Sequence, residues 1–340
     1  MPQSIDCGKS FLEQVSRFLR SEPELKRLGL LLVVSYAVMA ALRPNIFLTY
    51  DYTVSILYLF PEYGVLSLAM MLAMISGGID LSIVAVANLA GISSCILFVA
   101  IMPANPPLIV AVAVLLIMVS FAMLIGAACG ALTATLIAKV GIPPMLATLG
   151  SGDLILGLAI AITKGSSVKN LPPILSGVMN SRIGFLPVTT VMFFACALIV
   201  SYILTKTSYG FKLVMMGANA MASRFAGIDN TRITFVTYIL SGVLSSVAGV
   251  LMCAHFNSAR SDFGTSYTLQ AILVCVLGGV NPKGGYGKVM GIALAVLILQ
   301  VLSSGFNMFP GISNFYRNII WGAVLLAAMI FNHISRKCKN

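Results

Sequence analysis

The chain has 340 residues, 59% of them hydrophobic and only 9% charged, with a net charge of +11 and a mean hydropathy of +1.00. So little polar surface excludes a soluble globule of this size, and the basic residues fall between apolar runs rather than on a stripe interleaved with aromatics, which excludes a nucleic-acid-binding module. A membrane β-barrel is excluded too, because runs such as 108–126 are apolar on every face instead of alternating; the fold class is an all-α polytopic membrane protein.

In chain order, residues 1–27 form a polar-rich cytoplasmic segment in which Phe11, Leu12, Val15, Phe18 and Leu19 share one helical face. This predicts an amphipathic helix lying on lipid, with Arg17 and Arg20 toward the headgroups, and not a cleavable leader. Ten spans are then expected, at 28–42, 62–78, 81–101, 108–138, 145–163, 188–205, 232–253, 267–280, 288–305 and 315–334, making one membrane domain over 28–334 and a cytoplasmic tail over 335–340. With the N-terminus inside, the outer segments carry only Arg43, Lys164, Lys169, Arg182, Arg260 and Arg317 of the 21 basic residues, so the positive-inside rule supports both the even count and the orientation. The long fourth span carries Gly126 and Gly130 at a spacing that lets two helices approach closely. The eighth is short and ends at Gly278-Gly279, as discontinuous helices facing protein or a cavity do. The seven cysteines show no C-x-x-C pair, and five of them lie in or beside apolar runs as small core residues. His255 and His333 are too far apart to make a local metal motif.

Four polar segments carry functional information. Gly77-Gly78-Ile79-Asp80-Leu81-Ser82 breaks one helix and starts another, with Asp80 or Ser82 either capping the new helix or marking a polar solute route. Residues 206–231 form the one long cytoplasmic connection, in which Asn219 as N-cap and Gly227 as the residue past the end bracket a helix of about two turns. That helix is read as a docking element or an ordered linker. On the outer side, Arg260 and Asp262 in the polar stretch 257–265 are placed to pair. The turn 277–287 has glycines at 278, 279, 284, 285 and 287 that permit backbone conformations closed to other residues.

Taken together, Gly78-Ile79-Asp80-Leu81-Ser82, Gly141-Ile142-Pro143-Pro144 with Ala147-Thr148-Leu149-Gly150, Gly217-x-Asn219 with Gly227-Ile228, and Leu277-Gly278-Gly279 with Gly284-Gly285-x-Gly287 resemble the permeases of bacterial ribose-type ABC importers. The resemblance covers about residues 60–330. It implies a protein of the inner membrane that works with a second permease subunit, identical or homologous, two cytoplasmic ATPase subunits and a periplasmic binding protein delivering a monosaccharide or similar small polar solute. Ser258-Ala259-Arg260-Ser261-Asp262 looks most like the branch importing autoinducer-2 or deoxysugars such as rhamnose. The resemblance places the ATPase contact at Gly217, Asn219, Met221, Arg224, Phe225 and Gly227. Asp80, Ser82, Asn88, Asn257, Arg260, Asp262 and Gln270 are the candidates for the translocation path. Departures from the family pattern are Ile83-Val84-Ala85 after the first motif, Asn88 and Gln270 at positions where other residue types are common, and Asp153 within the fifth span.

The phosphate-cradling motif G-x-x-x-x-G-K-[ST] is absent: Gly8-Lys9-Ser10 has Gln3 in place of its first glycine, and Gly287-Lys288 runs into Val289. The chain is therefore not expected to be an enzyme, nor to hold a cofactor or metal of its own; ATP and Mg belong on the partner. An ion-coupled secondary transporter is the alternative, with Asp153 the main feature in its favour.

Overall fold

The computed structural model describes residues 23–103, 106–169, 171–184, 186–308, 319, 322 and 323. The amphipathic segment expected within 1–27, the tenth span at 315–334 and the tail at 335–340 therefore lie outside the described residues, apart from the few positions named.

With no water at bilayer depth, each backbone N–H and C=O must be bonded within its own segment, so the apolar runs become helices. These are α1 (Pro23–Leu42), α2 (Pro44–Phe47), α3 (Tyr50–Leu59), α4 (Pro61–Ile75), α5 (Ile83–Ile101), α6 (Leu108–Thr135), α7 (Pro144–Thr163), α8 (Pro173–Asn180), α9 (Val188–Lys206), α10 (Ser208–Ala218), α11 (Ala220–Phe225), α12 (Asn230–Phe256), α13 (Tyr267–Leu277) and α14 (Val289–Asn307). Helices α2, α4, α7 and α8 place proline in the first turn, where its missing N–H costs nothing. Two short strands, β1 (Arg182–Ile183) and β2 (Leu186–Pro187), pair antiparallel in the connection before α9. Among the described residues, eight helices are long and apolar enough to cross a membrane, and α13 is a shorter apolar ninth. They match the first nine expected spans.

The second span differs at its start. It runs over Tyr50–Ile75 as α3 and α4 joined at Pro61, rather than from 62. Asp51, Thr53 and Ser55 make this region look like a loop. In the helix, however, the Thr53 and Ser55 hydroxyls donate back to the carbonyls of Thr49 and Asp51 and so cost little.

Every residue of α4 is buried. Around it, α12 packs on α5 and α6 with glycines at the crossings: a Cβ on Gly126 would overlap the Gly242 carbonyl oxygen, and one on Gly130 that of Tyr238. The length of α6 also resolves here, since it continues as a π-helical turn over Leu136–Val140 and stops at left-handed Gly141. Ile142-Pro143 then turns the chain into α7.

Candidate functional site: the capped segment between α9 and α12 and the polar contacts behind it

The connection between α9 and α12 is fully ordered by its own polar residues. The Thr207 side chain caps α10 by accepting from the Gly210 N–H at 3.2 Å. Asn219, in extended conformation, caps α11 by accepting from the N–H groups of Met221 and Ala222 at 3.0 and 2.9 Å. At the other end Gly227 has φ of +79°, its N–H donates to Arg224 O, and the Ile228 N–H reaches Ser223 O. These two bonds are the paired closure of a helix ended by a left-handed glycine.

One side of α11 is fixed and the other is bare. Ser223 is buried and donates to Ala220 O and Asn230 Oδ1, while Asn230 Nδ2 donates to Ala220 O. Met221 and Phe225 point away from the chain, 66% and 87% exposed, with Arg224 also exposed. Behind the segment, the Tyr209 hydroxyl meets Thr237 Oγ1 at 2.7 Å, and burial pushes the Tyr209 hydroxyl up to about 12.

The base of the segment joins the bundle through backbone alone. Gly217 lies against the carbonyl of Ile75, the last residue of α4, so closely that a Cβ there would overlap its oxygen. The Gly285 N–H donates to the same carbonyl at 2.9 Å, and a Cβ on Gly285 would stand 2.7 Å from Ala218 Cα. Gly279, Gly284 and Gly285 all have positive φ, the conformation read from the turn 277–287. Three segments far apart in sequence thus meet where no side chain fits.

Gly77 and Gly78 lead from α4 to Asp80. Asp80 Oδ1 accepts from Ser82 N and Ser82 Oγ at 3.0 and 2.6 Å, and Oδ2 accepts from Ser241 Oγ on α12 at 2.7 Å. Asp80 and Ser82 are both buried, and the Asp80 carboxylate carries the contact to the rest of the bundle. Thr148 of α7 adds a bond to the Ile79 carbonyl at 3.0 Å.

The outer side is built differently. Asn88, buried in α5, donates through Nδ2 to the carbonyls of Ser261 and Phe263, both at 2.9 Å. It thereby pins a loop, in place of the helix-to-helix bond that an amide inside an apolar span suggests. Arg260 pairs with Asp262 at 2.7 Å, both exposed, and Ala259 bridges to Val168. Asn257 takes a left-handed conformation at the end of α12, and Gln270 is half-buried on α13. Asp80 and Ser82 thus meet directly, Asn88 holds the stretch in which Arg260 and Asp262 pair, and Asn257 stands at the start of that stretch.

Several polar contacts were not singled out from the sequence. Glu62 is buried and pairs with His255 Nδ1, while the Tyr267 hydroxyl donates to Glu62 Oε2 at 3.3 Å. The ring of Tyr58 stands edge-on to His255 at 5.4 Å and lines a cleft of about 380 Å³ with Ser55 and Arg182. Expected at the first residue of the span 62–78, Glu62 instead lies inside the span Tyr50–Ile75. The serines at 241, 245 and 246 inside an apolar span were the available signal for α12.

A bundle of membrane-crossing helices, broken at a buried carboxylate and joined by a connection with capped short helices, is that of a transport permease of the multi-pass inner-membrane type. Residues 52–329 match the family model described as the permease component of the branched-chain amino acid transport system, and the chain belongs to that family of ABC importer permeases. It is 32% identical over 278 residues to the "Autoinducer 2 import system permease protein LsrD" of Photorhabdus luminescens, and 32% identical over 278 residues to the protein of that name in Yersinia enterocolitica, covering 80% of each chain in both cases. No solved structure matches the chain.

Proposed function

We propose that this permease works beside a second permease subunit, over two cytoplasmic ATPase subunits, and takes a small polyhydroxylated solute from a periplasmic binding protein. The solute class is autoinducer 2 or a sugar of similar size. Its support is the autoinducer 2 import named for the relatives together with the likeness of residues 258–262 to that branch. The path residues among Asp80, Ser82, Asn88, Asn257, Arg260, Asp262 and Gln270 act by holding the inner break and the outer loop in shape.

The observation that carries the coupling role is the pair Met221 and Phe225. They lie four residues apart on one face of α11, and both are exposed. Large apolar side chains held in water by a rigid, doubly capped helix favour a partner surface that covers them. Arg224 on the adjoining surface suits an acidic residue of that partner. Any force on α11 then passes through Gly217 and Gly285 into α4 and the 278–287 turn. ATP and Mg bind to the ATPase subunits in this reading.

Cysteines at 221 and 225, crosslinked to the ATPase in membranes, test this directly. We expect crosslinks at both positions, and Phe225→Asp lowering uptake about tenfold or more by burying an unpaired charge. Normal uptake in Phe225→Asp with no crosslink at either position overturns the assignment.

A further inference from the structure

Asp153 is the tenth of the twenty residues of α7, so at 1.5 Å per residue it lies about 14 Å from either end, in the middle of its span. Its side chain is exposed on the surface of the chain, and no described residue bonds to its carboxylate. The other charged groups of the described spans are placed differently. Lys26, Arg27, Asp51, Lys139, Lys206 and Arg232 sit at span ends, and Glu62 is buried against His255 and Tyr267.

The buried face of α7, with Ala147, Thr148, Ser151, Gly152 and Ile155, packs inward; Gly152 lies against Ser82 and Thr148 bonds to Ile79. Asp153 points the other way. A Cβ added at Gly150 or Gly157, one turn to either side, would meet nothing within 4 Å, so open space surrounds the carboxylate. The exposed faces of α6 and α9 show Leu116, Ile117, Phe194, Leu198 and Ile199, which suit hydrocarbon. A carboxylate at the bilayer centre does not, and intramembrane charges face a bundle interior or a water-filled cavity.

We propose that the Asp153 face of α7 lines the water-filled solute path at the boundary with the second permease subunit. There the Asp153 carboxylate accepts hydrogen bonds from hydroxyl groups of the passing solute. This rests on the importer reading above and adds to it a solute-contacting residue. A carboxylate suits a hydroxyl-rich neutral solute, because each oxygen accepts from a hydroxyl and charge-assisted bonds of this kind are strong. It also disfavours an anionic solute at the same depth.

The test uses the full transporter in membrane vesicles, with the seven native cysteines replaced. Single cysteines are placed at 153, at 116 and at 198, and a charged, water-soluble methanethiosulfonate reports access to water. We expect the thiol at 153 to react at least about tenfold faster than those at 116 and 198, since only thiols in water ionise and meet the reagent. In parallel, uptake of autoinducer 2 is measured for Asp153→Asn and Asp153→Leu at matched protein level and subunit assembly. Asp153→Leu should lower uptake about tenfold or more, the scale of one charge-assisted hydrogen bond, while Asp153→Asn keeps part of it with a raised KM.

Either a thiol at 153 as inert as that at 198, or wild-type uptake by Asp153→Leu, overturns the assignment. Absence of uptake by the unmodified transporter instead overturns the proposed solute, so the two failures are distinguishable.

Discussion

The cytoplasmic junction and the outer loop solve the same problem, holding segments distant in sequence against one another, with opposite means. At the junction, Gly217, Gly284 and Gly285 bring backbone onto backbone beside Ile75, with no side chain between. On the outer side, Asn88 reaches across to two carbonyls while Arg260 and Asp262 pair at the surface. Backbone packing is stiff, because any added atom collides. Side-chain contacts are adjustable and their loss leaves room. A stiff inner joint suits the transmission of force from a docked partner, and an adjustable outer loop suits the passage of a solute.

The sharpest way to break this comparison is Gly217→Val. Its side chain would drive into the Ile75 carbonyl, and overpacking on this scale costs about 1–3 kcal/mol or more. Loss of assembled protein and of uptake is expected, seen as a lowered Tm in detergent. A Gly217→Val protein with native Tm and uptake would show that the joint yields.

Next comes Asp80→Ala. It strands Ser82 and Ser241 in the interior, and unpaired buried groups cost about 1–3 kcal/mol. The Tm should fall, and Ser241→Ala, which removes one of the bonds, should fall less. Equal effects would mean that the α12 contact carries the whole of the lock.

Asn88→Leu sharpens the contrast from the outer side. Freeing the carbonyls of Ser261 and Phe263 should cost about 1 kcal/mol, with faster proteolysis of 257–266 and lower uptake but intact membrane insertion. Unchanged uptake would remove Asn88 from the transport mechanism. Smallest of all, Arg260→Ala should shift stability by less than about 1 kcal/mol, because both members of the pair are exposed. A large fall in Tm would place that pair in a wider network.

Much of this architecture was legible in the chain. Apolar runs of bilayer length leave helices as the only way to bond the backbone. The short helix α11 was legible for a local reason: its caps lie within the segment itself, so Asn219 and Gly227 mark its ends whatever surrounds them. The start of the second span was not, because Thr53 and Ser55 look polar until their hydroxyls fold back onto the helix.

The apolar helices, the break at Gly77-Gly78 and the caps of α11 were therefore determined by sequence alone, since each depends on residues within a few positions of one another. Only the tertiary structure decided that Asp80 is held by Ser241, that Asn88 grips the outer loop, that Glu62 meets His255, and that Asp153 faces out of the chain. Those pairings join residues scores or hundreds of positions apart. A helix pattern shows which residues share a face, but the direction that face takes is set by how the helices pack against one another.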